Sequence, residues 1–400
     1  MAADPIVGIE IGTSKVLAMV GELREDGIVT ITGLGEGSSS GVQKGQITDS
    51  TNVLQCLKPV LEAAEERSNV SIREVLLAVS GAHIKGFVNR GTIAVYDTNA
   101  GIAEDDVEEV KEVARNVSLP EDRLVLHSIS QHFSIDGQHR VTRPEGMAGG
   151  QLSHDMLVIH GVRNRLNDAI MAVDKLHVDV HDMASSGLCS ALAVLTPEQK
   201  RSGAIVIDMG GGTTDYVAYS EGVVAAAGAL GVGGDHITND IGIAFSIPTT
   251  QAEGLKLEDG SAIVEKSPDP DTISLASEGG FQGKTIKVKS LHTVVNLRCE
   301  EILNKVKDRL EEADVMHHVS AGLILTGGCA HLRGLPELAE KVFGLPCTIG
   351  KPLNVSGLAT ATAGPEYATV SGLVQYGFRS GKGAAGVTQL GSWLKGLFGR

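Results

Sequence analysis

A chain of 400 residues, 42 % hydrophobic and 21 % charged, exceeds one comfortable core, so two to four packed units are expected. No stretch approaches eighteen uninterrupted apolar residues, which excludes a transmembrane helix, and the opening residues lack the basic and apolar regions of a signal peptide, so secretion is not expected. The net charge of −15 argues against general nucleic-acid binding, and five scattered cysteines without a C-x-x-C pair suggest neither zinc site nor disulfide framework and point to the cytoplasm.

In chain order, Ile6 to Ile11, Lys15 to Gly21 and Ile28 to Thr32 read as a meander of short strands joined by glycine turns. Val53, Leu54, Leu57, Val60, Leu61 and Ala64 recur at helical spacing behind Asp49 or Ser50 as N-cap, and Val75 to Val79 reads as a buried strand. Residues 83 to about 162 read as a small α/β insertion: strand Gly91 to Val95, an acid-capped helix from Glu104, then strands Leu124 to Ile129 and Met156 to Gly161. A helix through Leu166 and Leu176 leads into strand Val178 to His181. The second half then repeats the first, with strands Ala204 to Met209 and Asp215 to Tyr219 around a triple-glycine turn. Glu258 to Gly283 reads as an exposed loop region, Val294 to Leu310 as helix and Gly322 to Leu325 as strand. From Arg379 the chain is glycine-rich and reads as a flexible linker.

Two segments match each other. In Val7-Gly-Ile-Glu10-Ile-Gly12-Thr13-Ser14-Lys15 and Ile205-Val-Ile-Asp208-Met-Gly210-Gly211-Gly212-Thr213-Thr214-Asp215, an acid ends a strand, glycine follows two residues later, and hydroxyl residues come next. Gly12 and Gly210 lie 198 positions apart, about half the chain, which indicates two homologous halves. Glycines admit backbone N–H groups close to phosphate oxygens, the hydroxyls add donors, and Lys15 supplies a point cation. Glu10 and Asp208 would repel phosphate unless Mg2+ and its water shell lie between. A third segment, Ile324-Leu-Thr-Gly327-Gly328-Cys-Ala330, leads a strand into a double-glycine turn that can lie flat against a purine. The spacings are those of neither a Walker loop nor a Rossmann turn.

In order and separation these three segments resemble the phosphate 1, phosphate 2 and adenosine motifs of the actin, Hsp70 and sugar-kinase superfamily. The resemblance implies a duplicated α/β ATPase fold, with ATP and Mg2+ in a cleft between two domains. Gln251-Ala-Glu253-Gly-Leu-Lys256 resembles the helix whose acid and lysine approach ribose and adenine. Gln131 is similar to the glutamine that positions the attacking water. The insertion after Val79-Ser80-Gly81-Ala82-His83 resembles subdomain 1C of the FtsA family, bacterial cell-division actin homologues. That branch implies subdomain 1A at 1–82, 162–190 and 356–378, 1C at 83–161, 2A at 191–235 and 305–355, and 2B at 236–304, with a linker at 379–390 and an amphipathic helix at 391–400. It also implies tethering of filaments of the tubulin-like protein FtsZ to the cytoplasmic face of the inner membrane at the division site. Self-polymerisation and recruitment of later division proteins belong to the same expectation. Subdomain 2B would take the FtsZ tail, with Arg298 and Asn304 as candidates. Glu10 stands where most of the superfamily has Asp, and Ser130 precedes Gln131 where proline is common, so ATP binding is expected with weak or absent ATPase activity.

The last residues carry the membrane reading. Leu390, Trp393, Leu394, Leu397 and Phe398 recur as one helical stripe, with Lys395 and Arg400 as cations. Each buried apolar side chain gives roughly 1.5–3 kcal/mol and each cation about 1 kcal/mol near anionic lipid. Ordering a short helix containing Gly396 takes back much of this, so one tail binds reversibly and a filament binds by avidity. The last 22 residues carry +4, which leaves −19 on residues 1–378. The alternatives are a pilus-assembly actin-like protein with the same insertion, or a small-molecule kinase of the superfamily.

Overall fold

The computed structural model describes residues 4–96, 101–266, 269–277, 280, 282–358 and 363–380, leaving aside the side chains of 139 and 140. The first half opens with β1 (Ile6–Ile11), β2 (Lys15–Leu23) and β3 (Val29–Ser38), a short hairpin of β4 (Val42–Gln43) and β5 (Gln46–Ile47), helix α1 (Ser50–Ser68) and β6 (Glu74–Val79). Asp49 caps α1 through its carboxylate, which accepts from the Thr51 and Asn52 amides, and the helix stops at Asn69 in the left-handed region. The insertion comprises β7 (Lys85–Ala94), α2 (Glu104–Arg115), β8 (Arg123–Ile135), β9 (Gln138–Val141) and β10 (Gln151–Val162). Then α3 (Arg163–Asp174), β11 (Asp179–Ser185) and α4 (Ser186–Val194) complete the half.

The second half runs α5 (Pro197–Ser202), β12 (Ala204–Met209), β13 (Thr214–Ser220), β14 (Val223–Leu230), α6 (Gly234–Phe245), α7 (Thr249–Glu258), β15 (Thr272–Leu275), β16 (Lys284–Lys287) and α8 (Val288–Glu312). It continues with β17 (Leu323–Thr326), α9 (Leu335–Phe343), β18 (Cys347–Ile349), β19 (Val355–Gly357) and α10 (Ala368–Ser380). Two boundaries differ from expectation. The region 258–283 contains β15, which pairs antiparallel with β16. Helix α10 includes Arg379 and Ser380, expected in the linker, and its Gly377 packs against Ile6 and Leu76; residues 381–390 lie outside the described residues.

The duplication is visible in the sheets. Strands β3-β2-β1-β6-β11 run as an antiparallel meander extended by parallel neighbours, and β14-β13-β12-β17-β18 repeat that order. In the first sheet β19 adds to β3; in the second, β14 passes into the insertion strands β7-β10-β8-β9. Between the halves α4 and α10 cross so closely that a Cβ on Gly372 would overlap the Cys189 carbonyl oxygen. One apolar core joins the first half, the insertion and β13–β14, and a second fills the rest of the second half. No helix of the described residues is long and apolar enough to cross a membrane.

Candidate functional site

Both phosphate-type turns close in the same way: the Gly12 amide donates to the Lys15 carbonyl oxygen and the Gly210 amide to that of Thr213, each at 2.9 Å. The turns face each other. A Cβ on Gly211 would overlap Ser14 Oγ, and one on Gly212 would overlap Thr13 Oγ1, so only glycine lets the loops meet. The Gly234 and Asp235 amides donate to the Gly210 and Gly211 carbonyl oxygens at 2.9 and 2.8 Å, fastening the N-terminus of α6 to the second loop. Thr13 and Thr213 line a small cavity between the loops, whereas Thr214 is fully buried and its hydroxyl donates to the Val232 carbonyl oxygen. Thr214 therefore does not face the cleft: one position further along β13, the pleat turns it the other way.

That cavity, about 40 Å³, is also bounded by Glu10, Asp208, Asp215 and Ser186. Asp208 Oδ2 accepts from Ser190 Oγ on α4 and from Thr369 Oγ1 on α10 at 2.8 Å. Asp215 Oδ2 accepts from Ser80 Oγ at 2.6 Å. Glu10 Oε2 and Asp215 Oδ1 are buried without a partner. Burial pushes the Glu10 carboxyl up to about 7, with Lys15 opposing and Asp208 adding to the rise. Burial also raises Asp208, and raises Asp215 well above the usual carboxylate range, where Asp208 adds its repulsion. Unpaired carboxylate oxygens around a space of water size can accept from a single water that is itself bound to a divalent cation. Among the described residues no three His, Cys, Asp or Glu side chains stand close enough to ligate a metal directly. Lys15 lines neither cavity: its ammonium donates to the Glu366 carbonyl oxygen at 2.9 Å and stands 4.5 Å from the Tyr367 ring centroid, acting on the acids through its field.

The larger cleft, about 310 Å³, opens beside Ser14 and Gly211. Glu253 and Lys256 line it as an ion pair of 2.6 Å, and Lys256 Nζ donates to Thr238 Oγ1 at 2.9 Å while that hydroxyl donates to Glu253. Gly327, at φ +82°, leaves no room for a side chain beside Asp208, so the double-glycine turn is packed onto the acid cluster. Gly328 faces open space in the cleft. Leu257, Leu332, His331 and Arg333 form the outer wall.

Besides Thr214 and Lys15, three groups of expected residues part from this site. Gln131 is not brought to the cleft: its Nε2 donates to the Val224 and Ala225 carbonyl oxygens at 2.7 and 3.3 Å, near the far end of the β13–β14 hairpin. A β-bulge sets Gln131 and His132 opposite the single residue Asp155 and re-aims the side chain. Arg298 is engaged within its own surface, bidentate to Asp240 at 2.6 and 3.0 Å and paired with Glu301, and Asn304 donates back to the Glu300 carbonyl oxygen at 2.9 Å. Exposed apolar residues stand on the same two helices, Ile243 on α6 and Leu297 on α8. The tail residues Leu390, Trp393, Leu394, Lys395, Leu397, Phe398 and Arg400 lie outside the described residues. Sequence reasoning quoted Asp215 and Ser80 within motifs without giving either a role at the site, and it did not single out Ser186, Ser190 or Thr369, lone hydroxyls that carry no spacing signal.

Comparison with known proteins follows the same outline. A family profile described as "Cell division protein FtsA" matches residues 205–372, and one described as "SHS2 domain inserted in FTSA" matches residues 81–160. The chain is 33 % identical to the cell division protein FtsA of Escherichia coli (strain K12), over 98 % of this chain and 96 % of the relative. It is 33 % identical to that of Pseudomonas aeruginosa, over 94 % and 89 %. Among solved structures, the PilM-PilN type IV pilus biogenesis complex superposes with TM-score 0.63 at 16 % identity, over 93 % of this chain and 98 % of that one. MreB5 of Spiroplasma citri bound to ADP gives TM-score 0.53 at 16 % identity, over 95 % and 99 %.

Proposed function

The chain belongs to the FtsA family of actin-like cell division proteins, and from that premise we propose that it tethers FtsZ filaments to the cytoplasmic face of the inner membrane under control of bound nucleotide. In this reading ATP lies in the larger cleft, its β- and γ-phosphates between the Gly12–Ser14 and Gly210–Thr213 turns. Glu253 and Lys256 approach the ribose, and Gly328 lies under the purine. Mg2+, when bound, neutralises phosphate charge and orders water; Glu10, Asp208 and Asp215 hold that water shell. Ser190 and Thr369 orient Asp208, and Ser80 orients Asp215. With Gln131 engaged elsewhere, hydrolysis is slow or absent. The observation that carries the nucleotide reading is the pair of facing glycine turns above partnerless buried carboxylate oxygens.

The subdomains keep the bounds given above, with the linker starting after Ser380. The acidic, apolar tail of FtsZ docks on 2B, where Ile243 and Leu297 offer apolar contact and Arg298 can exchange part of its bond to Asp240 for the incoming acid. Residues 391–400 insert in the membrane surface, filament formation multiplies their weak binding, and later division proteins join at 1C. The test is co-pelleting with FtsZ polymer and Mg-ATP. Full-length protein pellets with FtsZ in this account; FtsZ polymer that leaves it in the supernatant refutes the partner.

A further inference from the structure

The nine-stranded sheet joins the insertion, which belongs by sequence to the first half, directly to the second half. Gly228 of β14 pairs with Lys85 of β7. Next to that pair, a Cβ on Gly86 would stand 2.5 Å from the Ala227 carbonyl oxygen, so the two strands meet without a side chain between them. Gln131 closes the contact through its bonds to Val224 and Ala225. His132 beside it faces Glu221 at 3.7 Å. Leu126, Leu157 and Ile159 of the insertion share one apolar core with Val217, Val224 and Ala227.

The Gln131 bonds and the phosphate turns load opposite ends of one hairpin, with the Gly228–Lys85 pair nearer the loop end, where Gly228 faces Tyr216. Thr214 pairs with Leu230 at the loop end, and Ser220 pairs with Val223 at the insertion end. Seven residues of strand make a lever of about 20 Å. At the loop end the halves touch, with Ser14 against Gly211 and Thr13 against Gly212. A phosphate oxygen needs about 2.7–3.2 Å to a donor on each side, so the turns must part to admit phosphates. Between the two ends α4, where it crosses α10, packs on the hairpin with Gly187 against Asp215 and Val217, and its Ser190, with Thr369 of α10, holds Asp208 beside the loop end. Parting the turns about that crossing shears β14 against the insertion.

We infer that Gln131 is a positioning residue: it latches the insertion to the β13–β14 hairpin and so sets how far the phosphate turns part for a nucleotide. The latch favours turns in contact, nucleotide works against it, and the place of the insertion against the second half reports occupancy. The inference rests on the nucleotide reading above.

The test uses the full chain with Mg-ATP, measuring affinity with a fluorescent ATP analogue and amide hydrogen exchange along β7 and β14. Gln131→Ala leaves the Val224 carbonyl without its donor only while the latch is closed. Losing one net hydrogen bond converts to about three- to tenfold tighter ATP binding. Gly86→Ala, which pushes the strands apart next to the same contact, shifts affinity in the same direction. In wild type, ATP speeds exchange at 85–86 and 223–229; in both variants exchange is already fast without ATP. Unchanged or weaker ATP affinity in both variants, with the ATP response of exchange intact, overturns the latch. Lost hydrolysis at unchanged affinity in Gln131→Ala also overturns it and returns Gln131 to the attacking water. A wild-type chain that binds no ATP refutes the nucleotide reading itself, and the latch with it.

Discussion

Glu10 is, with Ser130, one of two positions at which the sequence departs from the superfamily motifs it resembles, and its burial sets up a measurable trade. Its carboxyl lies near 7 in the folded chain against an ordinary 4.5. Below 4.5 it is protonated in both folded and unfolded chains and has no effect. Between 4.5 and 7 the unfolded chain releases a proton that the folded chain keeps, so stability falls as pH rises through this window and levels off above it. The shift corresponds to about 3 kcal/mol by pH 8. Glu10→Gln imitates the protonated side chain in shape and carries no charge. In metal-free buffer the variant should match wild type at pH 5 and exceed it at pH 8. With about 2.1 cal/mol/K of unfolding entropy per residue, the gain is about 4 °C in Tm. Circular dichroism melting in EDTA at the two pH values reads this directly. With Mg-ATP the order reverses, because the variant has lost a charge facing the cation's water. A variant no more stable than wild type at pH 8 without metal would refute the burial argument. One that keeps full Mg-ATP stabilisation would refute the role in holding the water shell.

Gly211→Ala sets a methyl group against Ser14 where the turns meet and should lower the metal-free melting temperature, as read by circular dichroism; an unchanged melt would refute the contact between the turns. Lys256→Met removes the buried partner of Glu253 and Thr238; it should cost about 1–2 kcal/mol of stability and weaken ATP, and equal affinity would place the nucleotide elsewhere. Leu297→Asp on the exposed face of α8 should abolish binding of an FtsZ tail peptide in a fluorescence anisotropy titration, while ATP affinity stays at the wild-type value.

Much of the cleft was legible because its chemistry repeats. Glu10-Ile-Gly12 and Asp208-Met-Gly210 appear at matched strand ends, and the two sheets repeat one strand order. The insertion was legible as a break between Val79 and the helix through Leu166. The support for the acids was not: Ser190 and Thr369 are single hydroxyls on two helices 179 positions apart, and only the α4–α10 crossing brings them to one carboxylate oxygen. Gln131 was misplaced for a related reason. Its neighbours resemble a catalytic motif, yet a bulge opposite Asp155 decides where the amide points, and that register depends on pairing with β10. The join of β7 to β14 rests on one residue pair across 143 positions, which no local pattern encodes.

The most direct measurement of the central claim is recruitment of FtsZ polymer to vesicles of inner-membrane composition, with full-length protein and with a chain ending at 390, each with and without Mg-ATP. The account predicts that only the full chain brings FtsZ to the vesicle surface, and more strongly with Mg-ATP; equal recruitment by the shortened chain would contradict it.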